Sequence, residues 1–222
     1  MIEIVVSEEI REKCPQLCIG HIEAGVVNSA YNAALWRRIR EAGEQLRERY
    51  TPETLKLHPS IKATRGAYKV LGKDPSRYRP SNEALVRRVL KGAELYHVNT
   101  LVDLNNLVSI NWGYSIGGFD MRKIEGNRLT LGVGLEGEPY EGIGRGSLNI
   151  GHLPVYRDGI GGIGTPTSDN ERTKIDLDTT RLLFIVNGYD GDRGRVEGCC
   201  RELMRLMRLY AGSDGGEFRL EL

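Results

Sequence analysis

Near residue 110 the chain changes its pattern, and that change constrains the fold more than any other feature. Upstream, apolar residues recur at helical spacing; from 128 to 187, strand-like β-branched runs are separated by glycines. The 28 glycines are roughly twice the usual proportion, and most lie beyond the change, where they mark turns, bulges and close approaches rather than a linker. The expectation is an α+β protein: a helix-rich N-terminal half, then a mixed or antiparallel β-rich half closed by a helix at about 195 to 211.

Within that frame, 2–6 and 17–27 read as short strands. An amphipathic helix over about 29–50 puts Ala34, Leu35 and Ile39 on one face and Arg37, Arg38 and Arg40 around the rest, and Thr51-Pro52 ends it. A helix around 59–72 stops at Gly72. Another starts from Ser81 as N-cap, runs through Leu85, Val86, Val89 and Leu90, and stops at Gly92. Strands follow at RLTLGV, LPVYR and RLLFIVNG. One domain over 1–222 is expected, with 1–95 mainly helical and 96–222 carrying the pocket.

Composition narrows the function classes. Charged residues at 27% and hydrophobic ones at 40% are ordinary globular values. The apolar run in MIEIVVSEEIREK is too short and too acidic in its flanks for a signal peptide, and no run reaches membrane-spanning length, so a cytoplasmic protein is expected. Cys199 and Cys200 are adjacent, which argues against a disulfide framework. Cys14, Cys18 and His21 offer three metal donors at irregular spacing and read better as small buried residues, so no metal and no cofactor is expected. Residues 1–95 hold 17 Lys+Arg against 12 Asp+Glu, while the rest hold 14 against 18. A positive half able to face phosphates fits an RNA partner, and Arg37, Arg38, Arg87, Arg88 and Lys91 are its candidate contacts; solvated helices would show the same charges.

Three familiar motifs fail on context. Gly113-Tyr114-Ser115-Ile116-Gly117 matches a nucleophile elbow but follows a helix instead of a strand. Gly132 to Gly137 and Gly159 to Gly164 match the dinucleotide fingerprint, yet Pro139 and Pro166 follow too closely for either to open a helix.

What remains is HVNTLVDLNNLVSINWGYSIGGFD, from His97 to Asp120. It reads as a capped helix carrying Asp103, Asn105 and Asn106 toward a Gly-Gly turn at Gly117-Gly118, a recognition pocket of short polar groups. Each residue has a plainer reading. Thr100 and Asp103 fit a capping pair, Asp120 a turn cap, Asp158 a turn residue before Gly159, and Ser168, Asp169 and Thr173 loop caps.

V-D-x-x-N-x-V followed by G-G-F-D resembles the editing domain of the phenylalanyl-tRNA synthetase β chain. RYRPSNEALVRRVLKG, Glu136-Gly137-Glu138, the V-Y-R-D step ending at Asp158, and SDNERT extend the likeness over roughly residues 75 to 190. The resemblance implies a free-standing relative of that module, deacylating mischarged tRNA in the service of translation fidelity. tRNA is the implied partner, with no membrane and no obligate protein partner. Carried over, Asn106 matches the motif's asparagine, Asn105 replaces a threonine, Ser115 to Asp120 replace a P-L-H-A-F-D run, and Gly117 stands where a histidine is expected. Asp158, Gly161, Gly162 and Gly164 keep the glycine-rich turn, and Val186 takes the place of the glutamate that senses the tyrosine hydroxyl. In this reading Asn105, Asn106, Gly117 and Gly118, with Ser115, shape the amino-acid pocket. Asp169, with Asp103, binds the ammonium group, and Gly161 and Gly162 supply backbone N–H groups near the carbonyl. The alternative is a non-catalytic module on the same fold that grips tRNA or an amino-acid-like ligand.

Overall fold

A computed structural model describes residues 1–221; Leu222, the end of the expected domain, lies outside the described residues. The elements are β1 (Glu3–Val6), α1 (Glu8–Lys13), β2 (Cys18–Gly25), α2 (Ala33–Arg49), α3 (Pro59–Leu71), α4 (Ser81–Leu90) and α5 (Thr100–Trp112). There follow β3 (Ser115–Asp120), β4 (Arg128–Val133), β5 (Glu141–Gly142), β6 (Gly146–Ser147), β7 (Pro154–Arg157), β8 (Gly162–Gly164), β9 (Arg181–Gly188), α6 (Arg193–Tyr210) and β10 (Glu217–Glu221). The α+β expectation holds.

β9 organises the molecule. It lies in an antiparallel sheet of order β10-β2-β9-β3, and every residue from Leu182 to Gly188 is buried. Leu182, Phe184 and Val186 join a core with α2, α4, α5 and α6, while Leu183 and Ile185 meet Ile4, Leu129 and Leu131 of a second sheet, β1-β4-β7-β8. A strand covered on both faces needs an unbroken apolar run instead of alternation, which is what RLLFIVNG supplies. α6 sits close over β2 because Gly20 leaves room: a Cβ there would overlap Cys200 Sγ.

Three local expectations change. Pro80, not Ser81, holds the cap position of α4, and the Ser81 N–H donates to Pro166 O at 2.8 Å. α5 is capped by Asn99, whose side chain accepts from Val102 N at 3.0 Å, so Thr100 and Asp103 form no capping pair. Gly117-Gly118 is no turn: both lie inside strand β3, paired with Ile185 and Phe184 of β9. A Cβ on Gly117 would come 2.8 Å from the Phe119 ring, and one on Gly118 2.9 Å from Ile175, so glycine serves close packing here. β10 was unforeseen; it follows α6 and edges the sheet beside β2.

Candidate functional site

β3 is an edge strand, and its backbone groups facing away from β9 need partners. Two side chains supply them: Asn105 Nδ2 on α5 donates to Ile116 O at 3.0 Å, and the Gly118 N–H donates to Asp169 Oδ2 at 3.0 Å. Between them opens a cavity of about 330 Å³. Asn105, Asn106, Ser115, Gly118, Ser168 and Asp169, all inferred from sequence, line it together. Its apolar wall comes from Leu85, Val98, Val102, Ile116, Ile143 and Ile175, none of them singled out beforehand. Ser109, Thr165 and Lys174 were also missed. A small hydroxyl or a surface lysine carries no pattern that separates pocket from solvent, so only the fold reveals them.

Asn105 is buried, and because its nitrogen is committed to Ile116 O its Oδ1 is left without a partner. Asn106 is half-buried and its amide makes no hydrogen bond among the described residues. The loop carrying Asp169 is fixed by Thr165, whose hydroxyl donates to Ser168 O and accepts from Ser168 N at 3.0 Å, and by Tyr140, whose hydroxyl donates to Ser168 O at 2.7 Å. Asp169 therefore presents a held carboxylate with one oxygen on Gly118 and no hydrogen bond to the other among the described residues. Burial pushes this carboxyl up to about 7 against the opposing pull of the Gly118 N–H. A group poised there takes or gives up a proton near neutrality and strongly favours a cationic ligand.

Other candidates lie elsewhere. The Asp103 carboxylate is consumed by Trp36 Nε1 at 2.7 Å, His97 Nδ1 at 2.7 Å and the Val98 N–H at 3.1 Å, so it is not free for an ammonium group. Asp158 accepts a two-pronged Arg172 guanidinium at 2.8 and 2.9 Å and the N–H groups of Glu125, Ile160 and Gly161. That arrangement also takes the Gly161 N–H away from any oxyanion, and Gly162 is a ladder residue of β8 packed under the Tyr140 ring. Gly117 lies on β3 beside the cavity but is not part of its lining. Thr173 is buried and is not part of the lining, its hydroxyl has no partner among the described residues, and Val186 packs in the helix-facing core. Asp120 does cap the turn after β3, accepting from Arg122 N at 3.0 Å. The four cysteines are free and buried.

The basic candidates divide. Arg87 donates from Nε to buried Glu83 at 2.8 Å, Arg88 donates to Glu94 O and stacks on Tyr96 at 3.7 Å, and Arg38 lies 3.7 Å from Glu202. Arg37 and Lys91 are exposed with no ion pair among the described residues. No helix in the described residues is long and apolar enough to cross a membrane.

Asp158 is a structural anchor with a measurable signature. Burial would raise its carboxyl, but the Arg172 fork and the three backbone donors hold it below the usual carboxylate range. A depressed folded pKa contributes stability above the ordinary aspartate value of about 4 and loses it as pH falls below. Asp158→Ala should therefore lower unfolding free energy by roughly 2–3 kcal/mol at pH 7, a deficit that shrinks below about pH 4. A pH-independent deficit in urea titrations would remove the charge from the explanation.

Residues 63–199, the stretch holding α4, α5, β3 and the Asp169 loop, match the B3/4 domain family. The chain belongs to that family. A likeness of fold reaches beyond those residues: a crystal structure of an N-terminal fragment of the phenylalanyl-tRNA synthetase β-subunit from Pyrococcus horikoshii superposes with a TM-score of 0.51 over 98% of this chain, at 13% identity. The chain spans about half, 50%, of that fragment. No curated protein sequence matches. The relation is thus to a synthetase-related module, as the sequence resemblance implies.

Proposed function

We propose that this B3/4 chain is an editing-type hydrolase that removes a wrongly attached amino acid from tRNA, with the cavity beside β3 as its amino-acid site. The supporting observation is the pairing of Asp169, whose second oxygen has no hydrogen bond among the described residues, with the Asn105 and Asn106 amides in a cavity whose wall includes Leu85, Val98, Val102, Ile116, Ile143 and Ile175. In this reading Asp169 holds the substrate α-ammonium group, the apolar wall takes the side chain, and the amides orient the acyl group. Hydrolysis forms a bond from water oxygen to the ester carbonyl carbon and breaks that carbon's bond to the ribose oxygen, which leaves with a proton. The ester is already activated, so positioning a water supplies much of the acceleration without a nucleophilic side chain. Tyrosine specificity is not part of the proposal, because Val186 is no acid and does not line this cavity.

The test is release of amino acid from a panel of mischarged tRNAs. At least one should be deacylated well above the uncatalysed rate, and Asn106→Ala should slow that reaction roughly tenfold, as expected for one lost hydrogen bond, without lowering the melting temperature. tRNA binding with no release from any member would make the chain a binding module instead. The occupation of the Gly161 N–H by Asp158 favours that second reading, since it removes one expected oxyanion donor.

A further inference from the structure

A second cavity, of about 160 Å³, shares no residue with the first. It is bounded by the C-terminal turn of α2, the segment leading into α3, the end of α5 and the first turn of α6. Its polar lining is Arg49, Arg195, His58, Gln45, Asn111 and Tyr50, and no acidic side chain among the described residues lines it. Leu46, Leu55, Ile61, Val86 and Ile110 supply an apolar wall.

The cations here have no counter-charge from the described residues. Arg65, Arg87, Arg122, Arg157 and Arg172 each lie on a carboxylate, whereas neither Arg49 nor Arg195 has one among the described residues. Arg195 is held in place without being neutralised: Nη2 donates to Trp112 O at 2.7 Å, and the guanidinium lies 5.6 Å from the Tyr114 ring centre. The nearby carboxylate, Asp190, does not line the cavity and is occupied by the Tyr114 hydroxyl at 3.0 Å and the Ser60 hydroxyl at 2.8 Å. His58 Nδ1 is buried with no partner. Its ring rests against the backbone of Gly113, the left-handed cap of α5 at φ 76°, where a Cβ would overlap it. Burial first, then Arg195, push the His58 pKa below its ordinary value, against the pull of Asp190. An anion in the cavity would offset the Arg195 repulsion.

We propose that this cavity binds a small organic anion, a carboxylate or phosphate on a compact apolar body, with Arg49 and Arg195 on its oxygens and the His58 ring on its wall. Guanidinium pairs without carboxylates suit oxyanions of either kind. The concave apolar wall selects a small molecule over the backbone of a polynucleotide, which an open basic groove would serve better.

Calorimetric titration at low salt with benzoate, phenyl phosphate, inorganic phosphate and an unstructured RNA oligonucleotide tests this. Benzoate or phenyl phosphate should bind at one site per chain, and the tighter of the two names the source of the oxyanion; inorganic phosphate should bind about tenfold more weakly for want of the apolar body. Arg49→Ala, on an exposed helix end, and Arg195→Gln should each weaken binding roughly tenfold. The ring nitrogen resonances of His58 should move on saturation. Absence of saturable binding up to about 10 mM of any small probe, displacement of a bound small probe by the RNA, or unchanged affinity in both variants would overturn the proposal.

Discussion

Asp169→Asn is expected to lower kcat/KM for a cognate mischarged tRNA about a hundredfold, while leaving an N-acetylated aminoacyl-tRNA nearly unaffected. The Asn amide oxygen still accepts from the Gly118 N–H, the one hydrogen bond the Asp169 side chain makes among the described residues, so the edge of β3 keeps its partner and the fold should survive. What disappears is a charge opposite the substrate ammonium group. In the free protein the carboxyl titrates at about 7, so the wild-type kcat/KM should rise with pH through that value. It should fall again as the substrate amine, near 8, loses its proton. The Asn variant should lack the rising limb and keep the falling one. Equal losses on free-amine and acetylated substrates would assign Asp169 to holding β3 alone, as would an unchanged rising limb in the variant.

How much of this was legible follows from the kind of signal each residue carries. RLTLGV and RLLFIVNG declared themselves because β-branched runs of that length are local facts, and they match β4 and β9. β3 was hidden by its own packing: Gly117 and Gly118 are there because Phe119 and Ile175 leave no room for a Cβ, yet adjacent glycines read as a turn. Asn105 and Asp169 stand far apart in sequence, and no periodicity links them. Their grouping in one pocket was an expectation, and the physical reason for it, two backbone groups on the edge of β3 that they serve from α5 and from the loop after β8, exists only in the fold. Asp103 and Asp158 misled for the same reason in reverse. An aspartate among polar neighbours looks alike whether it faces a ligand or Trp36 and Arg172, because those partners lie elsewhere in the chain.

Glu83→Ala should destabilise the protein by roughly 3–5 kcal/mol, because it leaves clustered cations without their buried counter-charge. Glu83 is fully buried in the first turn of α4, where Arg87 Nε donates to it at 2.8 Å and Arg65 Nη1 at 3.0 Å, with Arg79 3.7 Å away. Arg65 also donates to Pro75 O and the Ser76 hydroxyl, so one carboxylate ties α3, the following loop and α4 together. α4 carries Ser81 and Leu85 into the pocket wall, and the loss of stability should come with a loss of ligand binding. Because the carboxylate is shielded, the deficit in urea unfolding should change little with salt, unlike that of an exposed pair. The same geometry alters how RNA binding has to be tested. Arg87→Glu would set a second carboxylate against Glu83 and unfold the helix, so weakened tRNA affinity in that variant would say nothing about contacts. Arg37→Glu with Lys91→Glu reverses two exposed charges instead, and should weaken tRNA binding and flatten its salt dependence while the fold is retained. A Glu83→Ala protein within about 1 kcal/mol of wild type would show that the cluster is relaxed by water, and would return Arg87 to the list of available phosphate contacts.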